Sequence, residues 1–159
     1  MKVSDILRVE NIVAGLFSSD KRGALAELSG HLAGTVPGID EAYLLGCVLE
    51  RERLGSTGIG HGVALPHAKV RGLDSLCIVL GRSRQGIDFQ AADGAPVHLI
   101  FLVAAPENST AVILKALSSL SRLLKEPGVM EGLIKADSAA AMRQFIAEAE
   151  VKLFKSAAL

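Results

Sequence analysis

Apolar residues along the chain change spacing from one segment to the next, and each spacing predicts an element. Ala24, Leu25, Leu28 and Leu32 recur three and four apart, with His31 beside them. That is one face of a helix, started by Ser18-Ser19-Asp20 and ended by Gly34 and Pro37-Gly38. Asp40 caps a second helix, which runs through Ala42-Tyr43-Leu44 to Leu49 and ends near Arg51-Glu52-Arg53. Asn108-Ser109-Thr110 caps a third, reaching Lys125. Its stripe is Val112, Ile113, Ala116, Leu117, Leu120, Leu123 and Leu124. Pro127-Gly128 breaks it, Val129 to Ile134 adds a turn or two, and Ser138 caps a last helix through Phe145 to about Leu153.

Two segments, Leu76–Leu80 and Val97–Val103, are continuously apolar, rich in β-branched residues and bounded by Gly or Pro. They predict buried strands. Asn11-Ile12-Val13-Ala14 reads as a short strand, and Val63-Ala64-Leu65 as a strand that stops at Pro66. Gly86-Ile87-Asp88-Phe89 is a short edge-like piece, followed by a turn at Asp93-Gly94. Val3–Leu7 reads as a helical turn capped by Ser4 or Asp5. Helices come first, strands sit centrally and helices return. The expected class is α/β (α+β): a mixed β-sheet sandwiched between helices, as a single domain over residues 1–159.

Composition narrows the function classes. The chain has 159 residues, of which 50% are hydrophobic and 21% charged, a globular balance. Lys plus Arg and Asp plus Glu number 17 each, and no basic cluster stands out, so no nucleic-acid partner is expected. Cys47 and Cys77 lie far apart in apolar surroundings and read as buried free thiols of a reducing compartment. The N-terminus lacks the apolar core of a signal peptide. The run Leu99–Ala105 is too short to span a bilayer. A cytoplasmic protein without membrane insertion is expected.

The chemistry concentrates in Gly55-Ser56-Thr57-Gly58-Ile59-Gly60-His61-Gly62-Val63-Ala64-Leu65-Pro66-His67-Ala68-Lys69. Glycines this dense let backbone N–H groups approach a ligand or another segment. No Gly-Lys-Ser/Thr closes the run and no helix follows it, so it is neither a Walker loop nor a dinucleotide fingerprint. Ser56 lacks a nucleophile-elbow context. A metal site needs three or four suitably spaced ligands. Of the four histidines, His31 falls mid-helix, and His98 lies in a strand, on a pocket wall or semi-buried. His61 and His67 share one segment. No Cys or carboxylate cluster completes a set, so neither metal nor cofactor is expected. Phosphoryl transfer to an imidazole remains. Neutral histidine is nucleophilic at pH 7, and the transferred anion needs positioning and charge stabilisation, which backbone N–H groups and one arginine can supply.

The segment Arg51-Glu52-Arg53-Leu54 through Lys69 resembles the type-2 EIIA domains of the bacterial phosphoenolpyruvate phosphotransferase system, the fructose/mannitol class. Within that class it looks most like the nitrogen-regulatory branch. Weaker resemblance covers the Ser19–Leu32 helix, Gly86–Phe89 and Pro96–Phe101 before Ala105-Pro106. The resemblance implies a phosphorylated histidine at His67 and an active-site arginine at Arg51. It also implies an HPr-like phosphocarrier as donor and a mixed sheet between helices. Gly58, Gly60 and Gly62 are then expected to expose backbone to the phosphoryl group. Two positions depart from the pattern. His61 stands where the regulatory branch usually has Asn. The helix after Pro106-Glu107 lacks the second histidine that many members carry, leaving His61, His98 and Lys115 as candidates for that role. With no fused EIIB or EIIC domain, a regulator that signals to target proteins through its phosphorylation state is expected. The alternatives are a sugar-specific EIIA serving separate EIIB and EIIC chains, and a binding protein that is never phosphorylated.

Overall fold

The computed structural model describes residues 1–158. Its elements run α1 (Val3–Ile6), a 3-10 turn (Val9–Asn11), β1 (Ile12–Val13), α2 (Lys21–Thr35), α3 (Glu41–Arg53), β2 (Gly58–Gly60), β3 (Val63–Ala64), β4 (His67–Val70), β5 (Cys77–Ile87), β6 (Val97–Pro106), α4 (Thr110–Lys125), α5 (Val129–Lys135) and α6 (Ala139–Ala157). The strands form one mixed sheet in the order β1-β5-β6-β3-β2, with β4 also paired to β6. β5 and β6 are antiparallel, as are β2 and β3, whereas β1 joins β5, and β3 and β4 join β6, in parallel.

The central strands are buried on both faces, which is why they read as unbroken apolar runs. Along β6, Ile100, Leu102 and Ala104 pack with α2 and α3 on one side. Leu99, Phe101 and Val103 pack with α4, α5, α6 and α1 on the other. Side chains this fully buried stabilise the fold by roughly 1.5–3 kcal/mol each. Gly81 lets α2 lie close on the sheet: a Cβ there would come within 2.8 Å of Leu28 Cδ2 and 2.9 Å of Leu16 Cδ1. Three caps match the sequence reading, with Asp20, Asp40 and Ser138 side chains accepting from the N–H groups of Gly23, Tyr43 and Ala141.

Other expectations are corrected. The strand read as stopping at Pro66 resumes as β4. Val63 faces Leu99 and His67 faces Val103 at one unchanged offset, so β3 and β4 are a single line interrupted only at Leu65-Pro66. Pro66 has no N–H to give, yet its carbonyl still accepts from Val103 N at 2.9 Å. The piece expected at Gly86–Phe89 is partly the end of β5, where Ile87 pairs with Val97. β5 runs well past its apolar stretch because buried Arg82 finds carbonyl partners. Its Nε donates to Ala14 O at 2.8 Å, and Nη1 donates to Leu133 O, Ile134 O and Ala136 O at the end of α5. Burial, followed by Arg84 nearby, pushes its pKa below the usual arginine value. α1 is capped neither by Ser4 nor by Asp5. The buried Glu150 carboxylate of α6 accepts from Val3 N at 2.6 Å and Ser4 N at 2.9 Å instead. α6 continues to Ala157, past the expected end. Both cysteines are free, but half-buried rather than buried.

Candidate functional site

The β4 line places His67. Val63 and Leu65 pack toward the α4 side of the sheet, and strand alternation sends His67 and Lys69 the same way. Lys69 Nζ donates to Thr110 Oγ1 at 3.0 Å, at the first residue of α4. The other wall is α3, whose last turn carries Arg51. His67, Arg51 and Lys69 therefore share one cavity of about 780 Å³ between α3 and α4. Its remaining surface is mostly apolar, including Tyr43, Cys47, Ile113, Leu114 and Leu117. Glu50 is also on the rim, where Arg53 hydrogen-bonds it at 2.5 Å and holds its carboxyl below the ordinary value.

The imidazole is half-buried, with Nδ1 2.9 Å from the Leu65 carbonyl oxygen. A carbonyl only accepts, so Nδ1 carries the proton and Nε2 keeps the lone pair. Among the described residues Nε2 has no protein partner. Arg51 Nη1 donates to Gly55 O at 3.0 Å, which leaves the guanidinium further donors. An imidazole with a fixed tautomer beside two cations suits nucleophilic attack on an anionic, electrophilic group.

The other candidate residues lie elsewhere. Gly58, Gly60 and Gly62 do not line the His67 cavity. Each answers a local demand. Gly58 passes so close to Ala91 that a Cβ would sit 2.7 Å from the Ala91 Cβ. Gly60 and Gly62 have φ of 90° and 83°. His61 is exposed, at φ 56°, and its N–H donates to Asp93 Oδ2 at 3.0 Å. His61 and Gly62 are the two residues between paired Gly60 and Val63, with the positive φ pair of a type I′ hairpin turn. The preference there is for Asn-Gly, and histidine is among the few other residues enriched at positive φ. His61 lines a separate cleft of about 680 Å³ with Leu124, Lys125 and Met130. His98 Nδ1 is 2.9 Å from Ser83 O, and His31 Nε2 is 2.6 Å from Glu10 O. Lys115 is exposed and off the cavity wall. Sequence singled out neither Lys69 as a site residue nor the apolar stripe of α4 as a wall of this cavity. Lys69 lies two positions beyond His67, which in a strand means the same face. Among the described residues no three His, Cys, Asp or Glu side chains converge as a metal set, and no helix is long and apolar enough to cross a membrane.

Comparison with known proteins identifies the family and the fold. Residues 5–149 match the model of the family described as "Phosphoenolpyruvate-dependent sugar phosphotransferase system, EIIA 2". A nitrogen regulatory protein of Bradyrhizobium diazoefficiens is 36% identical over 147 residues, covering 92% of this chain and 95% of that protein. The fructose-specific EIIABC component of Bacillus subtilis is also 36% identical, over 138 residues; they are 87% of this chain but 22% of that protein. The crystal structure of nitrogen regulatory protein IIA-Ntr from Neisseria meningitidis superposes with a TM-score of 0.84 at 33% identity, covering 91% of this chain and 98% of that one. Mixed sheet, buried central strands and the α3–α4 cavity thus stand in a chain that belongs to the type-2 EIIA family of the phosphoenolpyruvate-dependent phosphotransferase system.

Proposed function

We propose that this chain is a cytoplasmic phosphocarrier and regulator, folding as one domain, whose His67 accepts a phosphoryl group from an HPr-like donor. The Nε2 lone pair attacks the donor's phosphorus. The new N–P bond forms as the donor's phosphoramidate bond breaks, and that bond's electron pair returns to the donor's ring nitrogen. The proton stays on Nδ1, hydrogen-bonded to the Leu65 carbonyl, throughout, so no base is required. Arg51 and Lys69 offset the negative charge that arrives. No metal or cofactor takes part at this acceptor. The supporting observation is the fixed tautomer of His67 inside a cavity shared with Arg51. Gly58, Gly60 and Gly62 act here by shaping the hairpin that leads to His67.

Similarity over nearly the full length of nitrogen regulatory proteins supports a regulatory role, in which the phosphorylation state is read by target proteins. The equal identity to a fructose-specific component supports a second reading, a sugar-branch EIIA that passes the group to an EIIB chain. The test is intact-mass measurement after incubation with phosphoenolpyruvate, Enzyme I and an HPr-type carrier. One phosphoryl group, acid-labile and absent from His67→Ala but present in His31→Ala, is expected. No uptake by the parent protein would overturn the proposal in favour of a pure binding protein. Onward transfer to a purified EIIB would select the sugar branch.

A further inference from the structure

Arg51 and Glu52 are neighbours in the last turn of α3, so their side chains leave the helix about 100° apart. Arg51 turns to the His67 cavity, and Glu52 turns inward to 7% exposure. The Glu52 carboxylate accepts from Thr57 N at 3.1 Å and from Thr57 Oγ1, and pairs with Lys21 Nζ at 2.6 Å. Lys21 comes from the first turn of α2, and its ammonium also lies 4.8 Å from the centre of the Phe89 ring. Ser56 Oγ donates to Phe89 O at 3.2 Å and accepts from Gly58 N at 3.1 Å. The loop 55–58 is therefore bolted at both ends of Thr57. Gly55, two residues before Thr57, offers the carbonyl that receives Arg51 Nη1 at 3.0 Å.

A buried ion pair is a costly way to add stability, but it specifies one geometry. Here the geometry specified is that of the carbonyl holding the cavity's arginine. We propose that Glu52, with Lys21 as its counter-charge, is a positioning residue: it fixes the Gly55 carbonyl through Thr57 and so presents the Arg51 guanidinium to the phosphoryl group on His67. This inference rests on His67 being the phosphoryl acceptor. Glu52 touches neither the acceptor nor the donor and acts only through Arg51.

That dependence makes the test a double-mutant cycle, read as single-turnover transfer from purified phospho-HPr-type donor. Glu52→Gln keeps the shape and one acceptor oxygen but loses the charge that holds Lys21. It is expected to slow transfer at saturating donor about ten-fold while changing the half-saturating donor concentration less than about two-fold, the signature of lost transition-state support. Glu52→Asp should restore part of the rate. In an Arg51→Ala background Glu52→Gln should have almost no further effect. Equal, additive losses in both backgrounds, with matching thermal stabilities, would overturn the proposal. If Glu52→Gln does not fold, Thr57→Val carries the same cycle, because it removes the Oγ1 donor from the same carboxylate at constant shape. Failure of the underlying reading looks different: the parent protein takes up no phosphoryl group, or His67→Ala still does.

Discussion

Replacing Gly58 by alanine separates two reasons a glycine can stand beside an active site. If its role were to bare an N–H toward the phosphoryl group, alanine would keep that N–H and harm little. The structure gives a different reason. A Cβ on Gly58 would lie 2.7 Å from the Ala91 Cβ and 2.9 Å from the Ala91 Cα. Ordinary carbon contacts begin near 3.5 Å, so the two backbones must part by roughly 0.8 Å. Ala91 cannot give way easily, since Ala92 N donates to Gly58 O at 3.3 Å and Gly94 N donates to Ala91 O at 2.9 Å. Overpacking of this kind costs about 1–3 kcal/mol. Alanine recovers about 0.5–1 kcal/mol of the entropy that glycine loses on folding. The net expectation is a loss centred on about 1 kcal/mol, read by urea unfolding, and a fall in Tm of a few degrees. Transfer should slow as well, because the displaced segment is the one that Glu52 anchors. Gly34→Ala is the control: nothing lies within 4 Å of a Cβ there, and the position is in the last turns of α2, so it should gain up to about 1 kcal/mol. A Gly58→Ala protein as stable as its parent would refute the packing argument.

Three further outcomes are expected. Arg51→Ala should slow transfer ten-fold or more, a loss of about 1.4 kcal/mol or above, while leaving the unfolding midpoint nearly unchanged; an unchanged rate would make Arg51 a mere helix-end charge. His61→Asn should keep both stability and transfer rate, with the same pH dependence between about pH 6 and 8, whereas His61→Val should cost about 1–2 kcal/mol by forcing a β-branched residue to positive φ; equal stability of the two variants would count against the turn reading. The Asp93 carboxyl is held below its ordinary value by the His61 N–H and then the Ala95 N–H. Its contribution to the hairpin tip is therefore fully present above the unfolded value, near pH 4, and is lost as the pH falls through the lower folded value. NMR titration of that carboxyl should find its midpoint below 3.8, and a midpoint at or above 3.8 would remove Asp93 from the turn.

Much of this was legible in the sequence where the cause is local. Asp20, Asp40 and Ser138 cap the helices they precede, because a cap and its N–H lie three residues apart. The apolar runs at Leu76–Leu80 and Val97–Val103 are buried strands, because both faces of the sheet are covered. What stayed hidden has distant partners. Glu150 caps a helix at the other end of the chain. The polar half of β5 depends on carbonyls at the end of α5. β4 exists because β6 supplies its ladder across a proline that locally reads as a stop. The site divides the same way. His67 and Arg51 stood out by motif, whereas the α4 wall and the buried tie from Glu52 to Lys21 needed the fold. The glycines were conspicuous, but their reasons lie in Ala91, Asp93 and a hairpin turn that sequence alone did not connect to them.

The unbroken register of β3 and β4 along β6 also bears on how the proposed phosphorylated state would be recognised. His67 sits opposite Val103 in a ladder that the neighbouring Pro66 carbonyl continues, so its backbone would have little room to shift if the side chain were phosphorylated as proposed. A phosphoryl group adds about −1.5 to −2 charge at neutral pH. Around the cavity Arg51 and Lys69 are cationic while Glu50 is paired with Arg53, so the addition would cancel most of the local positive charge. A partner would then tell the two forms apart by field rather than by shape. That discrimination should fade as ionic strength rises, while docking against exposed Leu114 and its apolar neighbours on α4 should not.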